Sequence, residues 1–293
     1  MYYNYNGDDM KNNEIKEAVI IVGGMGTRLL PYTKTVSKEM MPIFDVPSIY
    51  LLVKEAYLSG IRKIIFVVTK RNKKLIQNFF TKDDYLNNFI KGEREKEKLV
   101  SEINEIIDKM TFNYVYQNER GTYGALYSAR KLIRNDNFIV MYGDDIMDSD
   151  IPLSKQLIEE FHKDRKMYIT IKKYPSDELP PSGLIKVDDN NYLMGIVKKE
   201  DSSYANLLGR YLLNKKIFTV KDKLKYYANN ELYLPHALLN FNGEVKAIWY
   251  NDEYFNIGEK LGFIKASIHY GLKNNDYKDE LINYLKSVNK KLK

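Results

Sequence analysis

The chain contains no cysteine, only three histidines and one tryptophan in 293 residues. Without thiols it has no disulfide framework, no zinc–thiolate centre and no thiol nucleophile, and that composition favours a reducing compartment such as the cytoplasm. No stretch reaches the roughly 18 consecutive apolar residues of a membrane span. Residues 1–13, MYYNYNGDDMKNN, are polar, lack the apolar centre of a signal peptide and read as a flexible tail. Blocks of one charge sign are also missing. The formal net charge is +7, but the 46 Lys and Arg are interleaved with 39 Asp and Glu. The segment KGEREKEKLVSEINEIIDK, residues 91–109, shows the pattern. It predicts a solvated helix face laced with charge pairs, which argues against nucleic acid as a partner.

What is present supports a large core. A hydrophobic fraction of 44% with 13% aromatics excludes global disorder. The runs EAVIIV (17–22), KIIFVVT (63–69), FNYVYQ (112–117) and NFIVMYG (137–143) predict strands, three of them continuously apolar as in buried parallel sheet. Helical spacing in PSIYLLVKEAYLSG and GALYSARKLIRN separates them, with Gly or Asn as stop signals. The order β-α-β-α-β predicts an α/β fold with a doubly wound, mostly parallel, Rossmann-like sheet, whose ligands bind outside the carboxyl ends of the strands. Beyond residue 150 the pattern is less regular: strand-like MYITIKKY, GLIKVD, YLMGIVKK and VKAIWY surround a Pro-rich loop, DELPPSG. Residues 83–110 form a charged, helix-like insertion. Its Leu99, Ile103, Ile106 and Ile107 share one face, which must bury against its own domain or in a homo-oligomer, a dimer or tetramer.

The most informative stretch is VGGMGTRLLPYTKTVSKEMMP, Val22 to Pro42. It matches neither Gly-x4-Gly-Lys-Ser/Thr nor Gly-x-Gly-x-x-Gly. Gly23, Gly24 and Gly26 allow backbone N–H groups to approach an anion, and Arg28 adds a planar fork of donors. Pro31 and Pro42 interrupt helix, so Lys34 and Lys38 lie on an irregular loop able to fold back over the same anion. Three cations on one glycine loop suit a triphosphate. Asp144, in the GDD that ends the fourth strand, has the chemistry of a ligand for a hard divalent cation beside such a loop; taken alone, GDD is a common turn.

These strings, GGMGTRLLPYTKTVSKEMMPIFDVPSI, YGDDI, LLGRYLL (207–213) and IGEKLGF (257–263), resemble the nucleotidyltransferases of sugar-nucleotide synthesis. The likeness is strongest to the bacterial UTP:glucose-1-phosphate uridylyltransferases and runs from Glu17 to about Asn274. It implies a single nucleotidyltransferase domain over 14–293: a nucleotide-binding half, 14–150, then a sugar-binding half with an inserted subdomain and C-terminal helices, 151–293. The implied reaction is a Mg2+-assisted in-line attack of a sugar-1-phosphate oxygen on the α-phosphorus of UTP. Gly23, Gly24, Gly26 and Thr27 would cradle the nucleotide, Arg28 the triphosphate, and Lys38 would bridge phosphates. Gln117 and Gly124 would meet the uracil edge. Gly183, Lys199 and Glu231 would serve the sugar phosphate. Asp144 would hold the metal.

The chain departs from that pattern on the sugar side. Lys198, Lys199 and Glu200 stand where the family has Glu-Lys-Pro, Pro235 and His236 replace Thr-Asp, and the second metal aspartate is Asn256. An amide oxygen can coordinate Mg2+ but brings no charge. Asp252, about 13 Å away along a strand, is out of reach. Three readings follow: an active uridylyltransferase, a nucleotide-sensing or partner-regulating relative with weakened or absent chemistry, or a nucleotidyltransferase for another phosphorylated substrate.

Overall fold

The structure, a computed structural model, describes residues 15–173, 183–197 and 204–292. The chain opens with β1 (Glu17–Ile21), the short hairpin β2 (Pro42–Ile43) and β3 (Val46–Pro47), α1 (Ser48–Leu58), β4 (Lys63–Val68), α2 (Lys73–Phe79), α3 (Asp84–Phe89) and α4 (Arg94–Lys109). It continues through β5 (Thr111–Tyr116), α5 (Gly121–Ala129), β6 (Asn137–Tyr142), β7 (Asp145–Asp148), α6 (Leu153–Asp164) and β8 (Met167–Lys172). Then come β9 (Leu184–Val187), β10 (Leu193–Ile196), β11 (Ala205–Asn214), α7 (Leu234–Leu238), β12 (Val245–Trp249), β13 (Glu253–Asn256), α8 (Lys260–Lys273) and α9 (Lys278–Leu292).

In the main sheet the strands of the nucleotide half are all parallel, in the order β6-β1-β4-β5. The predicted strands are found within a residue or so of their expected ends. Their side chains alternate between two cores: Ile20, Ile64, Phe66 and Val68 pack on one face with Leu52, Val53 and Leu157. Val19, Ile65, Val67 and Val140 pack on the other with Tyr123 and Leu126. Burial on both faces is why these strands read as unbroken apolar runs, and each such side chain contributes about 1.5–3 kcal/mol of transfer free energy.

The second half extends the same sheet with mixed pairings. β11 runs antiparallel to β6, β8 and β9, while β12 lies parallel to β8. A separate two-stranded ladder, β7 with β13, places Asn256 opposite Asp145. Most of DELPPSG lies outside the described residues, as does the 1–13 tail. In the insertion, Ile106 is buried and Ile103 packs beside it on the chain's own core, whereas Leu99 is exposed. The α4 stripe therefore seals its own domain, and only its N-terminal end is left outward.

Candidate active site

Because the four parallel strands share one direction, the loops after β1, β4, β5 and β6 meet on one edge. Backbone bonds join them: Val22 N–H donates to Val67 O (3.0 Å), Gln117 N–H to Val68 O (3.0 Å) and Gly143 N–H to Ile21 O (2.9 Å). The glycine loop descends in three tight 3-10 turns, Thr27–Leu29, Tyr32–Lys34 and Lys38–Met40. Gly26 opens the first in the left-handed region, φ +66°, and its carbonyl accepts from Thr33 Oγ1 at 2.7 Å. The loop thus folds back on itself as its prolines imply, and it carries Lys38 into the cleft.

Lys38 Nζ lies 2.5 Å from Asp144 Oδ2. Burial by itself would depress the ammonium, but Asp144, Glu39 and Asp145 outweigh it and the net shift is upward. Burial likewise opposes ionisation of Asp144, while Lys38 and, further off, Arg28 hold its carboxyl below the usual range. Gly26, Thr27, Arg28, Lys38, Asp144 and Gly258 line a cleft with about 430 Å³ of empty space. At its mouth Arg28 Nη1 donates to Glu259 Oε1 at 3.1 Å, both side chains being exposed. Lys34 is exposed and is not among the residues lining this cleft, and its carbonyl accepts from Arg71 Nη2 at 2.8 Å.

Asn256 is brought to the site. Ile257 N–H donates to Asp144 O at 2.8 Å, and Gly258 N–H donates to Asn256 Oδ1 at 2.9 Å. A methyl group on Gly258 would sit 2.8 Å from Asp144 Oδ2 and 3.0 Å from Asn256 Oδ1, so both oxygens flank one point. One carboxylate and one amide oxygen form an all-oxygen donor pair fit for a hard divalent cation. Among the described residues no cluster of three or more His, Cys, Asp or Glu could complete a cage, so substrate oxygens would have to fill the remaining positions.

Other expected site residues have different positions. Gln117 Oε1 lies over Gly23, where a methyl would come within 1.8 Å of it, and Nε2 donates to Glu119 O at 2.8 Å. Its amide thus braces its own loop and packs closely against the glycine loop. Gly124 is buried in α5, its N–H directed to Leu232 O (3.4 Å) and its carbonyl accepting from Ser128 Oγ (2.9 Å). A methyl there would meet Glu119 backbone at 2.8 Å, so this glycine serves close packing, and both its backbone groups are engaged within the fold. Gly121, which heads α5 with φ +83° close against Leu232, is the glycine whose conformation this loop requires. Glu231 receives the Tyr233 hydroxyl, and Gly183 at φ +85° accepts from Leu207 N–H at 2.8 Å. Lys198, Lys199 and Glu200 lie outside the described residues. His236 sits in α7 against the Tyr227 ring, centroids 4.4 Å apart, and burial lowers its pKa.

Two further residues escaped the sequence reading. Glu39, adjacent to Lys38, is fully buried and its carboxyl is pushed up to about 7 by burial. Asp145, the second acid of GDD, is pushed up to about 6 by burial and by Asp144. Neither had a signal beyond its place in a motif.

A glycine loop, a half-buried lysine–aspartate pair at parallel strand ends and a carboxylate–amide oxygen pair define a phosphate-handling transferase site. Residues 17–251 match the model of the nucleotidyl transferase family, and the chain belongs to that family. Within it, the chain is 36% identical over 299 residues to a UTP–glucose-1-phosphate uridylyltransferase of Streptococcus pneumoniae, an alignment covering 96% of this chain and 98% of that protein. It is 34% identical to the Staphylococcus haemolyticus protein of the same name, covering 94% and 99%. A UTP-bound UGPase structure from Acinetobacter baumannii superposes with a TM-score of 0.82 at 27% identity, covering 92% of this chain and 98% of that one.

Proposed function

We propose that the chain forms UDP-glucose and pyrophosphate from UTP and glucose-1-phosphate. The observation that carries this reading is the 2.5 Å approach of Lys38 Nζ to Asp144 Oδ2 beneath the glycine loop, with Asn256 Oδ1 alongside. Such transfer needs positioning and charge neutralisation rather than a covalent nucleophile, which suits a chain without cysteine. Gly23, Gly24, Gly26 and Thr27 supply the loop that receives the nucleotide. Arg28 exchanges Glu259 for triphosphate oxygens, and Lys38 exchanges Asp144 for a phosphate when the triphosphate binds. Gln117 fixes the loop at the base end, while Gly183, Lys199 and Glu231 belong to the sugar-phosphate side. Mg2+, held by Asp144 and Asn256, supplies neutralisation of phosphate charge.

We place the nucleotide half at 14–150 and the sugar half at 151–293 of one domain. The protein acts in the cytoplasm without nucleic acid as a partner; no described helix is long and apolar enough to cross a membrane. Exposed Tyr85, Phe89 and Leu99 on the insertion support a homo-oligomer. The single test is pyrophosphate release with UTP, Mg2+ and glucose-1-phosphate. Turnover is expected, and its absence across nucleotides and sugar phosphates, with UTP binding intact, would favour the nucleotide-sensing reading that Asn256 raises.

A further inference from the structure

The LLGRYLL segment forms most of β11, and it is irregular where it passes the site. The ladder between β11 and β8 shifts register between Leu208 and Tyr211, a bulge at Gly209 and Arg210. Bulges of this kind re-aim groups near active sites. Here Gly209 N–H donates to Asp145 Oδ2 at 2.7 Å. A methyl on Gly209 would lie 2.4 Å from that oxygen and 2.5 Å from Tyr142 Cβ, so the close approach itself demands glycine.

Arg210 is completely buried. Its Nη2 donates to the Asp145 carbonyl (2.9 Å) and to Glu55 Oε2 (2.8 Å), its Nε to Glu55 Oε1 (3.0 Å), and its Nη1 to Gly209 O (3.0 Å). Glu55, from α1, is completed by Ser154 Oγ (2.5 Å) and N–H (3.1 Å) at the start of α6. Tyr254 OH on β13 donates to the other Asp145 oxygen at 2.8 Å. Asp145 is therefore held through both carboxylate oxygens and its carbonyl, by groups from β11 and from β13, the ladder partner of β7. A buried ion pair is weak evidence for stability, since apolar replacements often do as well. One that gives its fork to the backbone beside a cation ligand has a better use in orienting that ligand.

We propose that the Gly209–Arg210 bulge, with Glu55 and Tyr254, is the positioning device of the site. By clamping Asp145 it fixes the backbone on which Asp144 stands, and so the direction of the Asp144 carboxylate. This rests on the reading of Asp144 as the cation-binding residue. The test uses Gly209→Ala, Arg210→Lys and Tyr254→Phe. The last removes one oxygen from a part-buried ring and keeps the test open if the others fail to fold. Free Mn2+ is followed by electron paramagnetic resonance in the presence of UTP, and metal-free UTP binding and thermal melting are measured alongside. Mn2+ affinity is expected to fall about tenfold in the bulge variants and by less in Tyr254→Phe, with metal-free UTP affinity unchanged. Folded variants that melt lower yet bind Mn2+ with UTP as the parent does would show a merely structural network and overturn the proposal. A parent that takes up no Mn2+ with UTP would instead remove the cation reading of Asp144, and the proposal with it.

Discussion

Lys38 Nζ and Asp144 Oδ2 are 2.5 Å apart, so the lysine stands on the ground a cation at Asp144 would need. Cation and triphosphate should accordingly bind as a unit: the cation takes Asp144, and the freed ammonium finds a phosphate. This is positive coupling between two ligands through one ion pair. Calorimetry should show Mg2+ tightening UTP binding. In Lys38→Met that coupling should shrink, Mg2+ alone should bind no worse than in the parent, and turnover should fall about 10²–10³-fold, the usual loss for one preorganised charge donor. Equal coupling in both proteins would show that the pair is not opened by ligands.

Arg28 has a different tie. Its partner Glu259 is exposed, and an exposed pair contributes about 0–1 kcal/mol, so the arginine is easily recruited by a triphosphate. Arg28→Ala should weaken UTP binding much more than glucose-1-phosphate binding and leave the melting temperature nearly unchanged. Glu259→Gln should tighten UTP by no more than a few-fold. Equal losses for both ligands in Arg28→Ala would contradict the assignment.

Glu39 gives a pH prediction. Burial raises its carboxyl from an ordinary 4.5 to about 7. Between these values the folded state binds a proton that the unfolded state has released, so stability falls as pH rises through that window and levels off above it. Glu39→Gln removes the titration. Its melting temperature relative to the parent should be lowest below pH 4.5 and should rise by several degrees up to pH 7, because the linked free energy is at most roughly 3 kcal/mol. A difference constant with pH would mean that the Glu39 carboxyl titrates alike in both states.

The strands and the meeting of their loops were legible because both-face burial writes an unbroken apolar run, and Lys38 because prolines bar the loop from helix. β11 was harder: Gly209 and Arg210 interrupt ANLLGRYLLN, and the sequence cannot show that an arginine there is buried with Glu55, 155 positions earlier. α6, LSKQLIEEFHKD, has an amphipathic pattern but no helical N-cap residue, its N-cap being Pro152. Gly124 was ambiguous because a glycine near a strand end reads equally as ligand approach or helix packing, and the Glu119 backbone beside it supplies a packing reason that the sequence does not show. The insertion stripe was ambiguous for the same reason: periodicity shows a face, and Ile106 had to be seen against the core to show what covers it.

Asn256 and Asp144 flank the same point beside Gly258, which turns a sequence departure into an experiment. Asn256→Asp restores a second carboxylate where the amide oxygen now sits, and Gly258 N–H, 2.9 Å from that oxygen, remains to receive it. Without metal the new charge lies near Asp144 and Asp145, so the variant should melt lower than the parent. With Mg2+ the order should reverse, since a unit charge near the ion is worth on the order of a few kcal/mol at an effective dielectric of about 20. Apparent Mg2+ affinity should rise tenfold or more, a change that needs only about 1.4 kcal/mol. If Lys198 blocks the sugar, the single variant will bind metal better without faster turnover, and adding Lys198→Glu should then release transfer. Magnesium titrations of the parent and both variants, read by melting and by pyrophosphate release, separate these outcomes. An unchanged metal dependence in all three would remove position 256 from the metal site despite its place beside Asp144.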